Sequence, residues 1–386
     1  MKTIIFLIVL FLQIFCLKSI YAQGVYEKVT SIEQLDESDT YILVENKYRY
    51  AIGYIYNYKG TIENLNSNSN EDICTLENIN SEEHPYEITI KKESNGAYSL
   101  HTNQGYIVYD EYTSILSKPS LSSSNIKNGT GTWCIEFTSG NGYTKIQNKS
   151  KDRMLSFYES SNTPYFGAYT TSNVYLFRKI SADNPIKLQI GAAKYSTLYY
   201  SDKNLIVPDE VEAYTFNCNN EGLHISKTYK VMDIIPRGTA VVLHGQGSYN
   251  FLETVATGVT DHDNVLNGTD NNESIPDDDK DNYLYYMLSL NSSNDLNSVG
   301  FYWGTEGGGP FTNNAHKAYL KIPKSDTSHA KTSFLFSDIE KGTTAISRPI
   351  VNDITDTYYY TIQGNKISCP TNKGIYIRNG KKFVIK

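Results

Sequence analysis

Pro85-Tyr86-Glu87-Ile88-Thr89-Ile90, Thr132-Trp133-Cys134-Ile135-Glu136-Phe137 and Val174-Tyr175-Leu176-Phe177 are three versions of one phrase. Each has an aromatic start, then apolar residues, then a turn. The aromatic starts Tyr86, Trp133 and Tyr175 lie 47 and 42 residues apart. The first two versions are apolar at every second position, the pattern of a strand with one face on a core. The third is a short continuous apolar run. Tyr26-Glu27-Lys28-Val29 is a looser version of the same phrase.

A second phrase recurs between the copies. Tyr41-Ile42-Leu43-Val44 leads through Asn46 to Tyr50-Ala51-Ile52-Gly53-Tyr54. Tyr98-Ser99-Leu100-His101 leads through Asn103 to Gly105-Tyr106-Ile107-Val108, and Tyr143-Thr144-Lys145-Ile146 through Asn148 to Arg153-Met154-Leu155-Ser156. A strand that turns at Asn and returns is a hairpin, here used three times. Threefold recurrence at roughly 40–60 residues predicts a β-trefoil, with another barrel or a sandwich as the alternative. The Asn- and Ser-rich stretches 60–83 and 117–131 read as loops.

The chain has 386 residues, enough for two or three domains, and 33 of them are Tyr. Tyr, Thr, Ser, Asn and Gly in abundance favour sheets and turns over helices, so the fold class expected is all-β. Residues 1–22 read as a secretory signal: basic Lys2, an apolar run from Ile4 to Leu17, and Tyr21-Ala22 before Gln23. Residues 23–182 form the repeat-containing domain. The pattern breaks near Ser181-Ala182-Asp183-Asn184-Pro185. Residues 183–344 then show short strands at close spacing, as in a sandwich or closed barrel. The polar stretch 260–282 reads as a loop. Residues 345–386 form a small unit of two hairpins, turning at Gly364-Asn365 and Asn379-Gly380.

The segment Gly374-Ile375-Tyr376-Ile377-Arg378-Asn379-Gly380-Lys381-Lys382-Phe383-Val384-Ile385-Lys386 resembles the C-terminal sorting domains of the type IX secretion system of Bacteroidota. That resemblance implies passage across the outer membrane and attachment at the cell surface. The Tyr195–Tyr214 and Ile235–Leu243 phrases resemble β domains of Bacteroidota multidomain surface proteins, a likeness that implies no catalytic residues.

Removing Lys2 and Lys18 with the leader leaves 33 basic against 42 acidic residues, a net charge of −9. Neutralising phosphates requires a basic surface, so nucleic acid is not expected as a partner. No segment after the leader could span a membrane as a helix. Cys74, Cys134, Cys218 and Cys369 form no CxxC pair, so no zinc site is expected. A Cys74–Cys134 disulfide and buried free thiols are both open.

Catalytic signatures are missing. Gly245-Gln246-Gly247-Ser248-Tyr249 lacks the nucleophile-elbow spacing and reads as a hairpin turn. The seven histidines form no metal pair at helical spacing, and His84 and His101 read as structural. The Gly304–Gly309 run has no following Lys-Ser or Lys-Thr to bind phosphate. Asp277, Asp278, Asp279 and Asp281 form an acidic loop without the EF-hand spacing. No enzyme activity and no cofactor are expected.

What remains is aromatic surface. Tyr48, Tyr50, Tyr54, Tyr56 and Tyr58 would share one face of an unbroken strand. Tyr106, Tyr109 and Tyr112, and Tyr158, Tyr165 and Tyr169, fall near the equivalent turns of the other repeats. Tyrosine is apolar in body and polar at its tip, which suits stacking on sugar rings. The ligand-binding candidates are therefore Tyr56, Tyr58, Tyr109, Tyr112, Tyr158, Tyr165 and Trp303, with glycans or surface proteins as partners. The Gln-x-Trp motif of ricin-type lectins is missing. Two other functions are open: a secreted hydrolase with its cleft at Trp303, or a structural envelope component.

Overall fold

The computed structural model describes residues 24–56, 59–76, 87–103, 105–110, 115–120, 129–138, 142–159, 163–219, 222–275, 282–293, 295–324, 332–337, 339, 359–361, 366–367, 374–378 and 381–385. The expected signal lies outside them, as do Tyr86, His84 and the acidic loop at Asp277–Asp281. The chain divides into two compact units, residues 1–340 and 341–386. The fold is all-β: its described helical residues are single 3₁₀ turns and Phe336, Ser337 and Ile339.

Fourteen strands build the first part: β1 (Gly24–Lys28), β2 (Tyr41–Glu45), β3 (Tyr50–Tyr56), β4 (Lys59–Asn64), β5 (Ile73–Leu76), β6 (Thr89–Lys92), β7 (Tyr98–Thr102), β8 (Gly105–Asp110), β9 (Ile115–Ser120), β10 (Trp133–Phe137), β11 (Thr144–Asn148), β12 (Met154–Tyr158), β13 (Tyr165–Tyr169) and β14 (Val174–Lys179). They join one antiparallel sheet in the order β5-β1-β14-β2-β3-β4-β13-β12-β11-β10-β7-β8-β9, with β6 also on β7. The three Asn-turn hairpins form as β2–β3, β7–β8 and β11–β12. β14 lies between β1 and β2, so the first strand of this region pairs with its last.

The continuous apolar run at β14 has a physical cause. Both of its faces are covered, so no polar alternation is needed. Val174 and Leu176 enter a core shared with Leu43, Leu100, Trp133 and Leu155. Tyr175 and Phe177 enter a second core with Tyr26, Ile42, Val44 and Cys74. β2 is divided between the same two cores. Trp133 is fully buried, and its indole N–H donates to the Ile107 carbonyl at 3.0 Å, which satisfies its polar atom away from water.

Two stretches expected as loops contain strands. Residues 60–83 hold β5 and most of β4, and residues 117–131 hold part of β9. The polar composition hides β4 because its apolar face is supplied largely by Ile62 and by Gly60, which lets β4 approach Ile52 and Phe166 closely. Cys74 and Cys134 are free thiols. Burial raises the pKa of Cys74.

From Ile186 onward the first unit continues as several sheets. One holds strands Ile186–Ile190, Gly247–Thr254, Asn204–Ile206 and Ile234–Ile235. A second holds Tyr195–Leu198, Val241–His244, Glu212–Asn219 and Gly222–Tyr229. A third has five strands, Leu266–Thr269, Lys317–Pro323, Tyr283–Leu290, Val299–Trp303 and Ser333–Leu335. Leu266–Thr269 falls in the stretch 260–282 expected as a loop. It is a strand because it pairs with residues 317–320 and buries Leu266, a tertiary support that Asn267 and Gly268 do not announce. Gly245-Gln246 does not turn a hairpin: it carries the chain from one sheet to another.

An apolar cluster of Ile73, Ile206, Met232 and Ile234, with Val25 and Ile180 against it, joins strands on both sides of residue 182. Beside it, Glu27 is buried. It accepts from Thr254 Oγ1 at 2.5 Å, the Val255 N–H at 2.9 Å and Arg178 Nε at 3.1 Å. Multiple donors of this kind are what a buried carboxylate requires.

The unit 341–386 is a four-stranded antiparallel sheet. Strands Tyr359–Thr361 and Lys366–Ile367 pair, as do Gly374–Arg378 and Lys381–Ile385, and Tyr359–Thr361 also pairs with Gly374–Arg378.

Candidate functional site

β12 and β13 form a hairpin in strict register: Met154 opposes Tyr169, Phe157 opposes Phe166, and Tyr158 opposes Tyr165. Alternation sends Phe157 and Phe166 into the core and leaves Tyr165, Gly167 and Tyr169 together on the other face of β13. Tyr158 is 48% exposed. Its ring stacks on Tyr169 with centroids 5.7 Å apart and planes 17° apart, and tilts against Tyr165 at 5.3 Å. The hydroxyls of Tyr165 and Tyr169 are 2.6 Å apart. Burial first, then the neighbouring Tyr165 hydroxyl, pushes the Tyr169 pKa upward.

Gly167 makes this arrangement possible. A Cβ there would lie 2.9 Å from Tyr169 Cε2 and 3.5 Å from Tyr165 Cε2, so the two rings close over the bare glycine. β4 pairs with β13 through Gly60 and Phe166, which sets the exposed Lys59 ammonium over the Tyr165 ring at 4.0 Å. Among the described residues Lys59 has no ion-pair partner. Next along the chain, Glu159 pairs with Lys47 at 2.6 Å and Arg49 at 3.1 Å.

The result is a tyrosine platform with one open ring face, two hydroxyls and an ammonium at its edge. Ring faces of this kind stack on apolar faces of ligands, and the hydroxyls and ammonium supply hydrogen bonds.

The structure brings Tyr158 and Tyr165 together and adds Tyr169 and Lys59. Tyr109 is not at a surface: it is 4% exposed and belongs to the core. Its position near the turn did not expose it, because Tyr109 shares a strand face with Ile107 and both enter the core. The side chain of Tyr56 and residues Tyr58 and Tyr112 lie outside the described residues. Among the described residues of the stretch 48–58, the tyrosines do not share one face. Tyr48 precedes β3, in the left-handed region at φ 55°. A bulge then separates Ile52 from Ile55, so parity changes within the strand. Tyr50 packs on Phe157, and Tyr54 is the exposed one among the described side chains.

Trp303 ends strand Val299–Trp303 and packs partly against a core with Phe301 and Tyr286. Gly308 covers it: a Cβ at Gly308 would lie 2.9 Å from the indole nitrogen. His101 Nε2 lies 2.8 Å from Ser99 Oγ, and burial lowers the His101 pKa. Ser99 is fully buried and donates to Glu93 at 2.6 Å, so its hydroxyl is closed to a substrate.

An open depression of about 430 Å³ is lined by Ile32, Leu35, Asp36, Glu37, Ile90, Lys92 and Tyr98. It contains none of the expected binding tyrosines. Among the described residues, no group of three His, Cys, Asp or Glu side chains is placed to hold a metal ion, and no helix is long and apolar enough to cross a membrane.

No protein-family model and no curated protein matches the chain. A solved structure described as "Structure and mode of action of a mosquitocidal holotoxin" matches at 13% identity with a TM-score of 0.30. The match covers 76% of this chain and 35% of that one, so the chain spans about a third of the length of that protein.

Proposed function

We propose that the chain is a non-catalytic, exported protein of the cell surface that binds glycans or acts in adhesion through its first domain. The observation that carries this reading is the stacked, outward-facing ring of Tyr158 on Tyr169. Contiguous exposed apolar surface marks binding sites, and clustered tyrosines, apolar in body and polar at the tip, suit them. A sugar ring offers the matching apolar face, and the Tyr165 and Tyr169 hydroxyls and the Lys59 ammonium offer hydrogen bonds for its hydroxyls.

The same reading gives residues 23–182 a β-trefoil arrangement. Three hairpins of similar sequence, a shared core and the pairing of β1 with β14 support it. Residues 183–344 are read as a sandwich. Residues 345–386 are read as a sorting tail of the type IX kind on a Bacteroidota-like surface, from the likeness of the Gly374–Lys386 sequence.

The test is glycan-array binding by the mature chain, residues 23–386. Specific binding that falls at least about 10-fold on Tyr158→Ala, with the circular dichroism spectrum unchanged, supports the reading. An array left blank by the folded protein overturns it and turns attention to a protein partner.

A further inference from the structure

A second tyrosine cluster lies on other strands of the same domain. Tyr48, in the β2–β3 turn, stacks on Tyr175 of β14 with centroids 5.3 Å apart and planes 8° apart. Tyr143, just before β11, tilts against Tyr175 at 5.2 Å. The Asn46 side-chain amide donates to the Tyr143 hydroxyl at 3.1 Å. Lys28, at the end of β1, holds its ammonium 3.9 Å from the centre of the Tyr175 ring and 5.9 Å from that of Tyr48.

Three features go beyond what packing alone requires. The first is the backbone of Tyr48. Its φ of 55° is unfavourable for a bulky side chain, and such residues gather at ligand clamps. The second is Lys28. Glu71 and Asp72 act on it through space, yet neither comes within ion-pair distance, and burial is the largest influence on its pKa, which is lowered. Among the described residues this half-buried ammonium has no bonded anion, which is a poor choice for stability and a ready site for an incoming one. The third is the space beside it. Gly142, at φ 69°, would carry a Cβ 3.6 Å from Lys28 Nζ and 3.8 Å from Tyr175 Cε1. A side chain there would sit against both the ammonium and the ring edge, and the glycine leaves that volume unfilled.

We propose that Lys28, Asn46, Tyr48 and Tyr143, seated on the buried Tyr175 ring, form a second saccharide-binding site, one that takes a negatively charged sugar. It rests on the reading of the first domain as a saccharide binder, extended to a different set of strands. The half-buried Tyr48 and Tyr143 supply apolar contact, Asn46 and the Tyr143 hydroxyl meet sugar hydroxyls, and Lys28 meets the anionic group, while Tyr175 holds Lys28 and Tyr48 in place from below. The two clusters share a plan, an ammonium over a tyrosine ring within a group of three tyrosines. They differ in that Lys28 is half-buried and Lys59 is exposed.

The experiment is calorimetric titration of the mature chain with tetragalacturonate, with its methyl ester as the uncharged control. The expected result is binding of the acid at least about 10-fold tighter than the ester, a preference lost in Lys28→Met and kept in Tyr158→Ala. Tyr143→Phe, which removes one hydroxyl, should weaken binding by about 3- to 10-fold and guards against a folding defect in the lysine variant. Equal binding of acid and ester, no binding of either, or binding indifferent to both Lys28→Met and Tyr143→Phe overturns the proposal. Acid binding lost only in Tyr158→Ala overturns it while sparing the first site. Acid binding lost in Lys28→Met, with no effect of Tyr158→Ala on any glycan, keeps this site and removes the first.

Discussion

Glu27 of the first strand accepts a hydrogen bond from the hydroxyl of Thr254, 227 residues further along the chain, at 2.5 Å. The same carboxylate takes the Val255 N–H and Arg178, so one buried charge fastens β1 to a strand of a different sheet. Removing it leaves the Arg178 guanidinium short of a partner in a half-buried position. Glu27→Ala should lower the unfolding free energy by about 3 kcal/mol in a urea titration, and Thr254→Val by about 1 kcal/mol. An unchanged midpoint in Glu27→Ala would show that the contact contributes nothing to holding the two sheets together.

Trp133 is the largest fully buried side chain among the described residues, and its N–H is bonded to Ile107. Trp133→Ala should cost about 3–5 kcal/mol, or leave the domain unfolded. Trp133→Phe loses less volume but leaves the Ile107 carbonyl without that donor, so a cost of about 1–3 kcal/mol is expected. Thermal or denaturant unfolding of the two variants measures both.

Gly167→Ala places a methyl 2.9 Å from the Tyr169 ring. The ring must shift, which breaks its stack with Tyr158 and its hydroxyl contact with Tyr165. The expected signature is a stability change within about 1 kcal/mol together with glycan binding weakened several-fold. Binding equal to wild type would separate ligand recognition from the Tyr158–Tyr169 stack.

Lys317 is half-buried and its ammonium donates to Ser196 Oγ at 3.1 Å and to the Thr197 carbonyl at 3.3 Å. Burial lowers its pKa below the usual lysine value of 10.5. The unfolded chain therefore holds this proton to higher pH than the folded one, and folding stability gains as pH rises between the two pKa values. Below the lowered value the full penalty for burying the charge applies. Stability measured for wild type relative to Lys317→Met should accordingly rise from neutral pH toward pH 10.5. A difference independent of pH across that window would mean that the folded protein does not shift this lysine.

The all-β class was legible in composition, and the hairpins were legible in their Asn turns and Tyr-led strands, because these are local preferences of the chain. The strands at Gly60, Ile73 and Leu266 were not. Their partners lie elsewhere, and a polar segment becomes a strand when a distant one offers it a ladder.

By itself the sequence determined that the chain forms short antiparallel strands, and that three hairpins of similar composition sit in its first half. Alternation and turn chemistry act over a few residues, so they can be read one segment at a time. Which tyrosines meet was decided only by the tertiary structure. The bulge between Ile52 and Ile55 changed the parity of β3. The pairing of β4 with β13 set Lys59 over Tyr165. The placement of β14 between β1 and β2 brought Tyr175 to Lys28 and Tyr48. Each depends on register between strands distant in sequence, and a shift of one residue moves every side chain to the opposite face.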